Sequence, residues 1–326
     1  MTRPRTAAVP PATPDSVVLE TVDCPLGCGQ GSDFVLTGFD RLHQLPGRFT
    51  VVKCRGCGLM RTDPRPDAAT ISYYYPTEYA PHQPPVLSSP VGSKQWRRLA
   101  GWAFQFNVTR FPEMKPGRML EIGCAGGGFL QQMATRGWDV EGLEVSERVA
   151  AATRSLGFRV RTSSLESAEA PERPFDLIVA WMVIEHLHQP RQALQKIARW
   201  LRPGGWLALS VPNAGSLESR IFGDAWYSLD VPRHLFHFTP RTLRLLLAAS
   251  GWSLQKIHHQ RVLSNLTHSI ANRLNDRAML PSAARYLSQM ADRPGHTHHA
   301  LYPLALPLSL IGQTGRMTAW AQPASS

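Results

Sequence analysis

The amino-acid sequence predicts an α/β protein with a parallel sheet, preceded by a small metal-binding segment. From residue 118 onward, short apolar runs alternate with stretches of helical periodicity, which is the pattern of parallel strands joined by helices. Three of the helical stretches end in glycine followed by an aromatic residue, at 137–138, 157–158 and 251–252. Four of the five cysteines form two close pairs near the N-terminus.

The length and composition indicate a folded protein of more than one domain. The chain has 326 residues, of which 43% are hydrophobic and 18% are charged, so a largely disordered chain is excluded. The net charge is +11, but the basic residues are scattered rather than grouped in a stripe, which disfavours nucleic acid as a partner. The start of the sequence lacks the apolar core of a secretory signal, and no apolar run reaches the ~20 residues of a spanning helix. We therefore expect a soluble, cytoplasmic protein.

The cysteine pairs predict a structural zinc site. Cys24 and Cys28 are separated by three residues and Cys54 and Cys57 by two, each pair in a glycine-rich turn. Two such turns provide four thiolates for a closed tetrahedral site. A redox Cys-x-x-Cys is disfavoured because no βαβ pattern surrounds it, and disulfides are disfavoured because no export signal precedes them. The zinc would stabilise a segment that has too few apolar residues to fold alone.

Six apolar runs are the candidate strands, with candidate helices between them. Glycine after a helix adopts the left-handed cap conformation, which explains the glycine–aromatic pairs. Pro190 occupies the first turn of a helix over residues 190–201, and Thr239 with Pro240 begins another helix. The candidate strands are 118–122, 139–145, 158–160, 175–180, 206–211 and 252–257.

The first candidate strand leads into a glycine-rich turn that predicts a ligand site. Glycines after residue 122 let the backbone turn tightly and approach a ligand. Glu144 ends the second strand, where a carboxylate in such folds accepts hydrogen bonds from both hydroxyls of a ribose. Glu121 stands just before the turn and favours a cationic ligand end over a pyrophosphate. S-adenosylmethionine, which carries an ammonium and a sulfonium, therefore suits this turn better than a nicotinamide dinucleotide.

Successive motifs in this region resemble those of the class I S-adenosylmethionine-dependent methyltransferases. They are EIGCAGGGFL, GLEVS, FDLIVAWMVIEHL and LRPGGWLALSVPN, in this order. The N-terminal segment, with CGL, PRP and YYP at 57–59, 64–66 and 74–76, resembles bacterial methyltransferases that carry a two-knuckle zinc segment before the catalytic domain. The resemblance covers about residues 21–257 and a last strand near 317–321. It implies a Rossmann-like sheet with an N-terminal zinc-ribbon-like segment and a C-terminal helical insertion before the last strand.

The resemblance also implies an order of segments and a cofactor site. Ala125 stands where the family has its middle glycine, and the first cysteine pair has one residue more than usual. The residues implied for the cofactor are Glu121, Gly123, Ala125 and Gly127 at the methionine end, Glu144 at the ribose, and Ser164 and Leu165 beside the adenine. The implied segments are a disordered tail (1–20), a zinc-binding segment (21–85), a connecting helical segment (86–115), the catalytic domain (116–257) and a C-terminal helical and apolar segment (258–326).

Four residues are candidates for the methyl-transfer chemistry. The pair Glu185-His186 resembles that of quinone-type O-methyltransferases, where this segment flanks the transfer centre and can help bind a divalent ion. His186 is the first candidate for the general base, with Glu185 orienting its ring or raising its pKa. The alternative is that His186 only caps the next helix. His234 and His237 form a second polar cluster among aromatic residues, and one of them is expected to line the acceptor pocket.

The acceptor is expected to be a hydroxyl of a small molecule, a glycan or a lipid-linked compound. The segment after the fourth strand lacks the Asn-Pro-Pro-Tyr-like tetrad of base N-methylating enzymes, and only Cys124 lies outside the cysteine pairs, which disfavours cytosine C5 methylation. A zinc-module RNA methyltransferase, a sugar C-methyltransferase and an inactive cofactor-binding scaffold remain alternatives. The apolar stretch at 300–311, interrupted by Pro303 and Pro307, is expected to pack on the core, with contact to a membrane surface as the alternative.

Overall fold

The order of elements is that of an α/β protein with an N-terminal β segment. The computed structural model describes residues 12–76, 106, 108–291 and 294–324. Residues 1–11 of the predicted tail, 77–85 of the predicted zinc-binding segment and most of the predicted connecting segment over 86–115 lie outside the described residues. Within the described part, five short strands precede a region in which strands and helices alternate, as the sequence predicts.

The N-terminal segment forms a small antiparallel sheet, and a strand from the predicted catalytic domain completes it. Three consecutive strands make this sheet, and a two-residue strand from far along the chain pairs with the third of them. The first and last strands of the segment pair with each other. The strands are β1 (Leu19–Glu20), β2 (Ser32–Gly38), β3 (Phe49–Cys54), β4 (Met60–Thr62), β5 (Arg65–Pro66) and the completing strand β11 (Phe236–His237).

The predicted tail over residues 1–20 is too long at its C-terminal end. Val17 is buried, and β1 follows directly after it. The Val18 N–H donates to Thr70 Oγ1 at 3.1 Å, and Arg65 Nε donates to Glu20 Oε1 at 2.8 Å. The prediction was wrong here because the partners that hold these residues lie 45 and 52 residues further along the chain.

A buried ion pair fastens the N-terminal sheet to the loop before β11. Arg233 is fully buried, and its Nη2 lies 2.5 Å from Asp40 Oδ1 and 2.6 Å from Asp230 Oδ1. Its Nη1 donates to the Tyr74 carbonyl at 3.0 Å. Removing one partner of such a buried pair leaves an uncompensated charge, which costs ~3–5 kcal/mol. The N-terminal segment is therefore packed onto the rest of the chain rather than attached through its linker alone.

A seven-stranded sheet forms the centre of the fold. Its inner strands are parallel, and the last strand of the chain is antiparallel to both of its neighbours. The strand order reverses direction between β6 and β9, and open α/β sheets bind ligands at such a switch point. In spatial order the strands are β12 (Trp252–His259), β13 (Arg316–Pro323), β10 (Leu201–Pro212), β9 (Phe175–Trp181), β6 (Arg118–Ile122), β7 (Asp139–Glu144) and β8 (Arg159–Thr162).

Helices pack on both faces of this sheet, and their ends follow the sequence signals. One helix begins at Pro190, as predicted, and another follows Thr239, whose Oγ1 accepts from the Thr242 N–H at 3.2 Å. The predicted left-handed caps are confirmed, because φ is +86°, +91° and +81° at glycines 137, 157 and 251. The helices are α1 (Gly128–Ala134), α2 (Glu147–Ser155), α3 (Pro190–Trp200), α4 (Leu217–Phe222) and α5 (Pro240–Ala249).

Three further helices lie between β12 and β13, which confirms the predicted insertion before the last strand. They are α6 (Ser264–Asp276), α7 (Pro281–Ala291) and α8 (Pro294–Leu310). α8 continues through Pro303 and Pro307, which the sequence predicts to interrupt it. The two prolines are four residues apart, so the backbone hydrogen bonds that they cannot donate lie on the same side of the helix. Among the described residues, we find no helix that has both the length and the apolar character needed to cross a membrane.

Candidate functional site

The glycine-rich turn after β6 requires left-handed backbone and close approach of neighbouring side chains. φ is +68° at Gly123, +44° at Ala125 and +75° at Gly127. A Cβ at Gly123 would lie 2.8 Å from Val183 Cγ2, so a larger residue does not fit there. Ala125 takes the place of the middle glycine at the cost of a strained φ, since side chains other than glycine rarely adopt this region.

Two buried carboxylates flank this turn. Glu144 ends β7, and its two oxygens accept the backbone N–H groups of Ala125 and Ser146, each at 3.0 Å. Glu121 is 4% exposed, and its Oε2 has no hydrogen-bond partner among the described residues. Burial and the nearby charge of Glu144 raise the pKa of Glu121 well above its usual value. A cationic ligand would supply the missing partner, so the site fits the methionine end of S-adenosylmethionine.

Residues predicted to border the adenine follow β8. The Ser163 N–H donates to the Glu144 carbonyl at 3.0 Å, which places this segment beside the end of β7. Leu165 is buried, and Ser164 Oγ accepts the Ser167 N–H at 3.1 Å. The seven predicted cofactor residues therefore lie on three neighbouring strand ends, while their individual roles stay predictions.

Three of the four candidate catalytic residues meet beyond the end of β9. Glu185 and His186 lie in a single 3₁₀ turn after this strand, and His234 comes from the loop before β11. One ligand atom from each of the three lies within 4.8 Å of the other two. The two imidazole rings contact each other edge to face, with 4.6 Å between their centroids. We call these three residues the histidine–glutamate group.

Carbonyl groups fix which ring nitrogens of this group are free. His186 Nδ1 lies 3.1 Å from the Arg233 carbonyl, and His234 Nδ1 lies 2.9 Å from the Ser228 carbonyl. Because a carbonyl only accepts, each Nδ1 must carry the proton, which leaves each Nε2 with a lone pair. The Tyr75 hydroxyl, 3.0 Å from His186 Nδ1, brings the N-terminal segment into contact with the same ring.

Burial decides the charge of the histidine–glutamate group. It lowers the pKa of His186 to about 4 and that of His234 to about 3, so both rings are neutral at neutral pH. The sequence-based expectation that Glu185 raises the pKa of His186 is therefore wrong, since desolvation outweighs the nearby carboxylate, which is that of Asp230. Burial also raises the pKa of Glu185 to about 8, and neither of its carboxylate oxygens has a hydrogen-bond partner among the described residues.

His237, the fourth candidate, is held apart in β11. Its Nε2 lies 3.2 Å from Thr62 Oγ1, and the Thr62 hydroxyl donates to the His234 carbonyl at 2.8 Å. His237 Nε2 is therefore a donor to Thr62, in a contact that connects β11 to β4. The sequence reasoning did not identify Tyr75 or Arg233 as neighbours of His186, although the YYP motif that contains Tyr75 was a visible signal.

The four N-terminal cysteines form a cluster whose geometry fits zinc. Their Sγ atoms all lie within 4.8 Å of one another, with Cys24 Sγ 3.8 Å from Cys28 Sγ and 3.5 Å from Cys57 Sγ. A tetrahedron with Zn–S bonds of ~2.3 Å has sulfurs about 3.8 Å apart. Burial raises the pKa of the Cys24 and Cys28 thiols, whereas at Cys54 the backbone N–H groups of Cys57 and Gly56 outweigh burial and lower the pKa to about 7. Thiolates are the form that binds zinc.

The strand order, with an antiparallel last strand inserted between β10 and β12, is typical of the class I, Rossmann-like methyltransferase fold. In agreement with this, residues 97–257 match the family described as "Methyltransferase domain". Residues 97–257 are therefore similar to the proteins of this family.

Similar proteins include several methyltransferases. The chain is 32% identical over 151 residues to a ubiquinone biosynthesis O-methyltransferase of Maricaulis maris, covering 42% of this chain and 59% of that protein. It is 30% identical over 149 residues to a malonyl-[acyl-carrier protein] O-methyltransferase of Serratia marcescens, covering 45% of this chain and 57% of that protein. The chain thus spans less than two thirds of either relative. An S-adenosylmethionine dependent methyltransferase of Mesorhizobium loti superposes with a TM-score of 0.42 at 18% identity, covering 71% of this chain and 98% of that chain.

Replacing Glu144 by alanine is expected to weaken S-adenosylmethionine and S-adenosylhomocysteine equally. Both molecules carry the same ribose, and losing charge-assisted hydrogen bonds to it should raise both dissociation constants roughly 10- to 150-fold. Glu144→Gln, which keeps one acceptor oxygen for the turn, should lose less. Calorimetry measures these affinities, with the exposed Glu172→Ala as control. Unchanged affinity for both molecules would show that Glu144 does not hold the ribose.

Proposed function

We propose that this protein transfers a methyl group from S-adenosylmethionine to a hydroxyl of a small-molecule, glycan or lipid-linked acceptor. The observation that carries this proposal is the histidine–glutamate group at the same sheet edge as the glycine-rich turn. It offers imidazoles that are neutral at neutral pH, each with a free Nε2. Such a nitrogen can accept the proton that a hydroxyl loses when its oxygen is methylated.

The residues of this chain would divide the work of the reaction. S-adenosylmethionine, when bound, supplies the methyl group on a sulfonium, whose methyl–sulfur bond would break to leave S-adenosylhomocysteine. Glu121 and Glu144 hold the ligand from the turn, and the short contacts around His186 orient its ring through Nδ1. The acceptor hydroxyl gives its proton to His186 Nε2 while its oxygen gains the methyl group. Glu185 is fully buried and lies in the same 3₁₀ turn as His186.

The cysteine cluster is proposed to hold one structural zinc ion. The support is the match of its sulfur distances to a tetrahedral site formed by four protein ligands. A site closed by four protein ligands leaves no position for a substrate, so a catalytic role for this zinc is not part of the proposal. The zinc would hold the end of β3, which carries Cys54, in place within the N-terminal sheet. The ion pair between Asp40 and Arg233 joins this part of the chain to the loop before β11.

Methyl transfer can be tested without knowing the acceptor. The purified protein is incubated with isotopically labelled S-adenosylmethionine and an extract of cells in which its gene is deleted, because these accumulate the unmethylated acceptor. We expect labelled product with the wild-type protein and roughly 10²-fold less with His186→Ala. A labelled RNA, bound with a steep salt dependence, would favour the RNA methyltransferase instead. A methyl group attached to sugar carbon would favour C-methylation, and no labelled product from any extract would contradict the proposal.

A further inference from the structure

A second group of buried polar side chains lies next to the histidine–glutamate group. Arg316 pairs with Pro212, the last residue of β10, so it lies at the edge of the sheet where the parallel strands end. Arg316 Nη2 donates to Asn265 Oδ1 at 2.9 Å, and Asn265 Nδ2 donates to Ser228 Oγ at 2.5 Å. The Ser228 carbonyl accepts from His234, which connects the two groups. We call Glu218, Asn265, Thr314 and Arg316 the recognition cluster.

Several polar atoms here have no hydrogen-bond partner among the described residues. Glu218 is 6% exposed, and Glu185 and Thr314 are fully buried. An unpaired buried polar group lowers the stability of the fold, and sites that bind a polar substrate are where such groups are retained. The atoms are both carboxylate oxygens of Glu185, Glu218 Oε2, Thr314 Oγ1, Arg316 Nε and, beside Glu218, Trp226 Nε1.

The charges of this region do not neutralise one another by direct contact. Glu185 and Glu218 are near enough to Arg316 to act on its pKa, which burial lowers, yet their free oxygens and Arg316 Nε are not bonded to one another. Burial raises the pKa of Glu218 to about 7, opposed by the Ser269 hydroxyl, which donates to Glu218 Oε1 at 2.9 Å. A ligand that fits here must therefore bridge donors and acceptors that the fold keeps apart.

The buried polar atoms without hydrogen-bond partners indicate the chemistry of that ligand. Three of the six are carboxylate oxygens, two are the N–H groups of Arg316 and Trp226, and one is a hydroxyl. An anion donates no hydrogen bond, so it would satisfy the N–H groups and at most a protonated carboxyl group, and it would leave the other carboxyl oxygens unpaired. A flat aromatic diol has too few hydroxyls to reach all of them. A ligand with several hydroxyls donates to the carboxylates and accepts from the guanidinium at the same time.

We propose that the acceptor is polyhydroxylated, such as a sugar ring, and that Glu218 and Arg316 bind hydroxyls adjacent to the one that is methylated. This inference rests on the proposed methyl transfer and specifies its substrate class. An aromatic pair borders the cluster, because Tyr227 stacks on His268 with 4.2 Å between ring centroids and the Tyr227 N–H donates to Ser269 Oγ. Such a surface suits the apolar C–H face of a sugar ring, whereas Glu218 and Arg316 suit its edge.

The first experiment identifies the chemical class of the product. Labelled product from the extract of gene-deleted cells is hydrolysed in acid, and the fragments are separated and analysed by mass spectrometry. We expect the labelled methyl group in an O-methyl monosaccharide or another polyol. Label in a quinone, another aromatic compound, a fatty-acid ester or RNA would overturn this inference and leave methyl transfer itself established. Absence of any labelled product would contradict the proposed function, and this inference with it.

The second experiment tests the two residues with the acceptor fraction purified from that extract. Glu218→Gln and Arg316→Lys are each expected to raise KM for the acceptor roughly tenfold or more, because the first removes a carboxylate acceptor and the second removes the fixed N–H donors of the guanidinium. kcat and the affinity for S-adenosylhomocysteine should change far less. Glu172→Gln, an exposed position, should match the wild type. If both variants retain the wild-type KM, or lose cofactor affinity and melting temperature without a specific change in KM, the recognition role is wrong.

Discussion

Replacing Cys54 by serine is expected to remove the bound zinc and to unfold the N-terminal sheet. Structural zinc in a site with four protein ligands contributes on the order of 10 kcal/mol to folding, more than the apolar residues of this small segment supply. Because the Tyr75 hydroxyl contacts His186 and Asp40 pairs with Arg233, we also expect methyl transfer to fall. Elemental analysis should give one zinc per wild-type chain and none in the variant.

Cys124→Ser is the matched control for the zinc prediction. Cys124 is buried like Cys54 but lies in the turn after β6, outside the cysteine cluster. This variant should keep one zinc per chain even if the cofactor turn is disturbed. A Cys54→Ser protein that retained a full zinc content and the wild-type melting temperature would show that the cluster is not the zinc site.

Replacing His186 by alanine is expected to lower kcat by ~10²–10⁴ without weakening S-adenosylhomocysteine binding, because a general base contributes that much to proton transfer. Steady-state kinetics with the purified acceptor and calorimetry with the cofactor product measure the two effects. His188→Ala, two residues further along and outside the histidine–glutamate group, is the control histidine. If alanine variants of His186, His234 and His237 all keep the wild-type rate, the base is not a histidine, and Glu185 becomes the candidate.

The pH dependence of the rate gives an independent signature of this base. A base works only when unprotonated, so the rate should rise with pH through the pKa of His186 and level off above it. Burial lowers that pKa to about 4, and we therefore expect the rising limb near pH 4 instead of near the usual histidine value of about 6.5. The limb should be absent in His186→Ala. A limb near pH 6.5 in the wild type would show that another group is titrating.

Local patterns were sufficient for six of the seven strands of the sheet and for the glycine-rich turn, whereas only the resemblance gave the last strand. The alternation of apolar runs predicted the parallel strands, and Gly137, Gly157 and Gly251 predicted three helix caps that the structure confirms. Turns and caps depend on a few consecutive residues whose backbone preferences are intrinsic. The two-residue strand β11 had no such pattern, because a strand of that length has no periodicity and exists only through its pairing with β4.

The sequence by itself determined the class of fold, the position of the glycine-rich turn and the grouping of the cysteines, because each of these depends on particular residue types at short, regular spacing. Only the tertiary structure decided that His186 and His234 lie together while His237 does not, and that Glu218 and Arg316 stand beside them. It also reversed the expected direction of the pKa shift of His186. These properties depend on burial and on contacts between residues far apart in the chain, and such contacts are set by how the helices and the N-terminal sheet pack.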